Sequence, residues 1–275
     1  MDKSMKKAIL LDGAMGTELM KRGVALPRFP EQVNLTSPET VQAIHRDYIA
    51  AGSGVIYANT FGANPLKARG ADLSAVIAAG LGNARAAAGK QARVALDVGP
   101  LGQLLEPWGE LTEAAAAEAF RAVFAAGESA DLVVLETFFD LTEITLALRA
   151  AKETLPDKPV FATMTFQAGG RTLTGVSVAE MAETLGRAGA DAVGLNCSLG
   201  PAEALPLLRE LKAHTDLPII MKPNAGMPDP LTGAYPLGPD AFAEAMVPIL
   251  ELGAGYVGGC CGTDPACIAA LGALL

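Results

Sequence analysis

Eight short apolar runs recur along the chain, separated by Ala- and Leu-rich stretches of helical periodicity. They are Ile9-Leu10-Leu11, Val55-Ile56-Tyr57, Val94-Ala95-Leu96, Leu132 to Leu135, Val160-Phe161-Ala162, Ala192 to Leu195, Ile219-Ile220-Met221 and Tyr256-Val257. Near-continuous apolar runs with helices between them predict parallel strands buried on both faces. Ser37-Pro38 predicts an N-cap followed by proline at the first helical position, and Ser177-Val178-Ala179-Glu180 has capping-box spacing. Pro201, Pro239 and Pro265 read as first-turn prolines. Small-residue turns recur before the even-numbered runs: Gly52-Ser53-Gly54, Ser129-Ala130-Asp131, Gly189-Ala190-Asp191 and Gly253-Ala254-Gly255. Such turns suit a repeated strand–helix unit. No low-complexity segment or linker divides the chain, so residues 1–275 are expected to form one domain. The economical reading is a single (β/α)8 TIM barrel, a fold that typically takes about 250 residues. An open doubly wound sheet is the alternative.

In such a barrel the chemistry sits at the C-terminal ends of the strands. The residues just past the runs are Asp12, Asn59, Asp97, Glu136, Thr165, Asn196-Cys197, Asn224 and Cys260-Cys261. Some of these are expected to be caps or loop anchors, as Asx residues often are. Their convergence on one face carries more information than any one of them.

Composition narrows the setting. The 275 residues are 51% hydrophobic, enough for a sizeable core, but no run approaches the roughly 20 apolar residues of a membrane span. Twenty-one basic against thirty acidic residues give a net charge of −9, and no basic or aromatic-basic stripe points to nucleic acid. The segment Lys3 to Lys7 with Ala8-Ile9-Leu10-Leu11 makes a poor signal peptide, because Asp12 ends the apolar stretch too soon. Four cysteines without a secretory signal indicate a reducing, cytoplasmic compartment, where clustered thiols bind metal or react rather than pair.

Three of those cysteines lie past the sixth and eighth runs: Cys197, and the adjacent pair Cys260-Cys261. Neighbouring cysteines are poorly placed to bridge each other. Glycines on both sides let the backbone bend, so the pair can turn two sulfurs toward one metal ion. A third sulfur from elsewhere gives three thiolates, and zinc with three protein ligands keeps a position free for water or substrate. The competing reading is three small buried hydrophobes, since free cysteine is commonly buried.

The segments Leu11-Asp12-Gly13-Ala14-Met15-Gly16-Thr17, Asn59-Thr60-Phe61-Gly62, Glu136-Thr137-Phe138, Gly194-Leu195-Asn196-Cys197-Ser198 and Gly258-Gly259-Cys260-Cys261-Gly262-Thr263 together resemble the homocysteine S-methyltransferase family. The resemblance runs from about Leu10 to Pro265. The Asp-Gly-Ala-Met-Gly-Thr opening, Pro223-Asn224-Ala225-Gly226 and the Cys-Cys-Gly-Thr ending favour the homocysteine-binding module of the cobalamin-dependent methionine synthase branch. That branch continues into folate, cobalamin and activation domains, whereas this sequence stops at Leu275.

The resemblance implies that Cys197, Cys260 and Cys261 hold zinc, with the homocysteine sulfur in the fourth position. It implies that Asp12 and Glu136 receive the substrate ammonium. The backbone N–H groups around Gly13 and Ala14 are placed to take the carboxylate, because glycine allows close approach. Asn224 is a candidate zinc ligand when substrate is absent, and Asn196 a candidate for orienting a ligand. With no segment left over for a corrinoid domain, the expected donor is free methylcobalamin or another methylcorrinoid on a separate corrinoid protein. S-methylmethionine and S-adenosylmethionine are the alternative donors. A non-catalytic zinc or redox-sensing barrel is the reading from a different class, and it has no need of an ammonium pocket.

Other residues are expected to be structural. His45 and His214 lie in helical stretches away from strand ends, and Cys267 falls in a helix after the last motif. Gly13-Ala14-Met15-Gly16 lacks the spacing and lysine of a phosphate loop. Met15, Met164, Met221 and Met227 read as core filling.

Overall fold

The computed structural model describes residues 8–275, so the Lys3–Lys7 segment lies outside the described residues. Eight parallel strands run in chain order: β1 (Ile9–Leu10), β2 (Val55–Tyr57), β3 (Arg93–Val98), β4 (Leu132–Phe138), β5 (Val160–Met164), β6 (Ala192–Asn196), β7 (Ile219–Lys222) and β8 (Tyr256–Val257). Each of the eight apolar runs supplies one strand. Neighbours in space are neighbours in sequence, except that β1 pairs with β8. A bridge between Leu11 and Val55, with Gly54 N–H donating to Leu10 O at 2.8 Å, joins β1 to β2. Those contacts decide between the two architectures. The chain is a (β/α)8 barrel, and the open-sheet alternative falls.

The helices are α1 (Met15–Lys21), α2 (Val33–Thr36), α3 (Pro38–Ala50), α4 (Pro65–Ala68), α5 (Leu73–Ala88), α6 (Glu113–Ala126), α7 (Leu141–Thr154), α8 (Val178–Arg187), α9 (Pro201–His214), α10 (Pro239–Glu251) and α11 (Pro265–Gly272). Their starts follow the local chemistry. The Ser177–Glu180 capping box forms in full, and prolines 38, 201, 239 and 265 open their helices. Ser37 differs from expectation: it occupies the cap position of α3, but its side chain makes no capping bond. With φ −144° and ψ 48° it departs from the extended backbone usual at an N-cap.

Alternation along the strands divides the core into two layers. Ile56, Val94, Leu96, Val133, Leu135, Val193 and Met221 face outward and pack beneath the helices. Helix α6 answers them with Ala116, Phe120, Val123 and Phe124, spaced to form one apolar stripe. Leu11, Val55, Tyr57, Ala95, Leu132, Val134, Phe161, Ala192 and Ile220 point inward and plug the barrel. Phe161 and Tyr256 meet there with ring centroids 4.7 Å apart. Each large side chain buried in these layers contributes about 1.5–3 kcal/mol.

The same alternation puts a polar tier directly above the inner plug. Asp97, Glu136, Thr163, Asn196 and Lys222 each lie two residues beyond an inward position, at Ala95, Val134, Phe161, Gly194 and Ile220. Asn196 and Lys222 are register partners on β6 and β7.

Candidate active site

The backbone past β6 brings the first sulfur over the barrel. Cys197 and Ser198 both adopt φ 58°, a left-handed conformation that costs a non-glycine residue about 1–2 kcal/mol. The turn is fixed by Cys197 N–H donating to Lys222 O at 3.1 Å and Leu199 N–H to Cys197 O at 2.6 Å. After β8, Cys260 N–H donates to Pro223 O at 2.9 Å, while the Thr263 hydroxyl donates to Cys260 O at 2.7 Å. Cys261 N–H donates to Asn224 Oδ1 at 3.1 Å. Gly262 then turns with φ 80°, and any side chain there would collide with the Tyr235 ring.

These turns place Cys197 Sγ 3.7 Å from Cys261 Sγ, and the sulfurs of Cys197, Cys260 and Cys261 all lie within 4.8 Å of one another. Four sulfurs held about 2.3 Å from a tetrahedral zinc are about 3.8 Å apart, so the trio fits three corners of such a site. The thiols are unequal. Hydrogen bonds with Cys197 and Cys260 lower the pKa of Cys261 to about 3, whereas those with Cys197 and Cys261 raise that of Cys260 well above an ordinary thiol. A dication held there would favour loss of the remaining protons, since a coordinating thiol is deprotonated outright.

Asn196 reaches under the trio. Its Oδ1 accepts from Thr137 N–H and the Thr163 hydroxyl, both at 2.8 Å. Its Nδ2 donates to Thr137 Oγ1 at 2.7 Å and to Cys260 Sγ at 3.9 Å. Thr137 itself sits at φ 64°, where β4 shifts register between Leu135 and Phe138. Asn224 lies beside the same cysteines. Its Oδ1 is engaged by Cys261 N–H, which makes it a brace between the β7 and β8 loops.

The acidic residues gather around one buried lysine. Asp12 is buried, with Oδ1 2.9 Å from Lys222 Nζ and Oδ2 accepting Tyr57 N–H at 2.7 Å. Burial raises its pKa, and Lys222 opposes that. Glu136 Oε2 is 3.9 Å from the same ammonium, beyond hydrogen-bond reach, and has no hydrogen-bond partner among the described residues. Burial raises the pKa of Glu136 too. Lys222 Nζ lies 3.5 Å from the Tyr57 ring centroid. Burial alone would lower its pKa, but Asp12, Tyr57 and Glu136 outweigh that and hold it well above an ordinary lysine. Asp97 Oδ1 and the Tyr57 hydroxyl are likewise buried without partners. Gly13 is required for packing: a Cβ there would come within 2.9 Å of the Tyr48 hydroxyl and 2.8 Å of Thr263 Oγ1.

Other strand-end residues serve the scaffold. Asn59 Nδ2 donates to Asn34 Oδ1 at 2.9 Å. His45 is fully buried in α3, His214 is exposed beside Glu183, and Cys267 is buried in α11. Met164 and Met221 are core residues, whereas Met227 is exposed. Lys222 and Tyr57 are the site residues that motif reading missed. Alternation carried the signal for Lys222, since a position two beyond an inward Ile220 must also point inward.

The family model for homocysteine S-methyltransferases matches residues 9–275. The chain belongs to that family. It is 33% identical to the methionine synthase of Mycobacterium tuberculosis over 97% of its own length and 24% of that protein's. It thus spans about a quarter of the length of that relative. Among solved structures it is similar to the homocysteine methyltransferase MmuM from Escherichia coli. The oxidized form superposes with TM-score 0.83 at 26% identity, covering 98% of this chain and 96% of that one. The metallated form gives 0.82 at 27%, with the same coverage.

Proposed function

We propose that this homocysteine S-methyltransferase family barrel methylates the sulfur of homocysteine to give methionine, with zinc at the three-cysteine site. One observation carries the reading. Three sulfurs spaced for tetrahedral coordination adjoin a buried acidic tier in which Glu136 keeps an unpartnered oxygen. The sulfurs suit the thiol end of the substrate and the carboxylates its ammonium end. A redox sensor would have no use for the second feature.

Cys197, Cys260 and Cys261 would hold the zinc, which when bound would supply Lewis acidity toward the substrate thiol. Deprotonation matters because a free thiol, with a pKa of roughly 8.5, is mostly protonated at neutral pH. Lowering that pKa by two units corresponds to roughly 2.7 kcal/mol. The chain's own residues bind and orient. The tier holding Asp12 and Glu136 receives the ammonium. The N–H groups of Gly13 and Ala14, without hydrogen-bond partners among the described residues, receive the carboxylate. Asn196 and Asn224 hold the cysteine turns in place, and no side chain forms a bond to the methyl group.

The donor we propose is a methylcorrinoid, either free methylcobalamin or the cofactor of a separate corrinoid protein. The match to methionine synthase and the Pro223-Asn224-Ala225-Gly226 segment support it. S-methylmethionine is the alternative that the likeness to MmuM keeps open. Residues 1–275 act as one module in the cytoplasm. The deciding experiment offers each donor separately to zinc-loaded protein with homocysteine and measures methionine. No methionine with any donor overturns the reading.

A further inference from the structure

The acidic tier already contains a cation. Lys222 Nζ sits 2.9 Å from Asp12 Oδ1 and over the Tyr57 ring, and its side chain is only 4% exposed. Asp12 Oδ2 is engaged by Tyr57 N–H, so both oxygens of this carboxylate are occupied. Glu136 Oε2 lies 3.9 Å from Lys222, 1.0 Å farther than the Asp12 contact, and no hydrogen bond reaches it.

We propose that Lys222 fills the Asp12 side of the ammonium pocket as a built-in cation, leaving Glu136 as the carboxylate that meets the substrate ammonium. The proposal rests on the homocysteine reading above and deepens it. Two carboxylates facing one substrate ammonium would leave a buried negative charge. With Lys222 in place, two carboxylates face two ammoniums and the tier closes without excess charge. Burial, and then the nearby Glu136, push the pKa of Asp97, the third buried carboxyl, well above the ordinary carboxylate range. Asp12 is then a positioning residue that acts by restraining Lys222.

The arrangement has a consequence that direct contact between Asp12 and the substrate would not have. Asp12→Asn releases Lys222, whose nearest remaining carboxylate is Glu136. The lysine then competes with the substrate for that oxygen. Removing the lysine as well should reopen the pocket, and replacing both partners of a buried pair is far better tolerated than removing one.

The test measures equilibrium binding of homocysteine, and of 4-mercaptobutyrate, which is homocysteine without its amino group, to zinc-loaded protein. Glu136→Gln and Asp12→Asn should each weaken homocysteine at least about tenfold and leave mercaptobutyrate nearly unchanged. The Asp12→Asn/Lys222→Met double variant should return homocysteine affinity to within about threefold of the unmodified protein. Asp12→Leu/Lys222→Met serves as a second neutral pair should the first not fold, and zinc content and thermal melts check every variant. If the unmodified protein shows no zinc-dependent homocysteine binding, the functional reading falls and this proposal with it. If it binds but both neutral pairs stay as weak as Glu136→Gln, Asp12 touches the substrate and the Lys222 assignment alone is overturned.

Discussion

Asn196 Nδ2 lies 3.9 Å from Cys260 Sγ, while the opposite edge of the same amide is pinned by Thr137 and Thr163. The side chain therefore cannot rotate away, and it holds the deepest of the three sulfurs in one position. Groups that orient metal ligands commonly account for about 10–100-fold in metal affinity. Asn196→Leu should weaken zinc binding by that order, read by competition with a chromophoric chelator. Unchanged affinity would show that the backbone turns alone fix Cys260.

The three sulfurs should act as a set. Replacing Cys197, Cys260 or Cys261 by Ser should remove most of the zinc, measured as metal per chain, together with methionine formation. Replacing Cys267, which is buried in α11, should do neither. Full activity after exhaustive chelation would rule the site out.

Donor choice is open to a direct comparison. Methylcobalamin or a methylated corrinoid protein should support methionine formation, and S-adenosylmethionine should support little. Methyltetrahydrofolate alone should give none with residues 1–275. A strong preference for S-methylmethionine over methylcobalamin would refute the assignment.

His45 should make stability pH-dependent. It is fully buried with neither ring nitrogen hydrogen-bonded, and burial lowers its pKa to about 4 from an ordinary 6.5. Between those values the unfolded chain binds a proton that the folded chain excludes. Stability is therefore full above pH 6.5 and falls as pH drops toward 4, by roughly 3 kcal/mol in total. His45→Met should flatten that slope in denaturant titrations at several pH values. An identical slope in the variant would assign the effect to other groups.

Much of the fold and site was legible in sequence because it depends on local pattern. Eight apolar runs became eight strands, and capping residues with first-turn prolines opened the helices where expected, since both arise from interactions within a few residues. The Cys197 and Cys260-Cys261 motifs fell at strand ends because the barrel puts every strand's C-terminus on one face. Closure through Leu11 and Val55 was decided only by the three-dimensional structure, since it joins the two ends of the strand order. So was the fate of each polar strand-end residue. Asn59 and Asp12 look alike as residues following apolar runs, yet one turns outward to Asn34 and the other is locked to a lysine 210 residues away. In the sequence Lys222 is a single basic residue after Ile-Ile-Met, with no motif around it to mark a role. Inside the barrel, the low dielectric and three neighbouring carboxyl groups make it the charge around which the acidic tier is arranged, and that depends on distances that no spacing in the chain encodes.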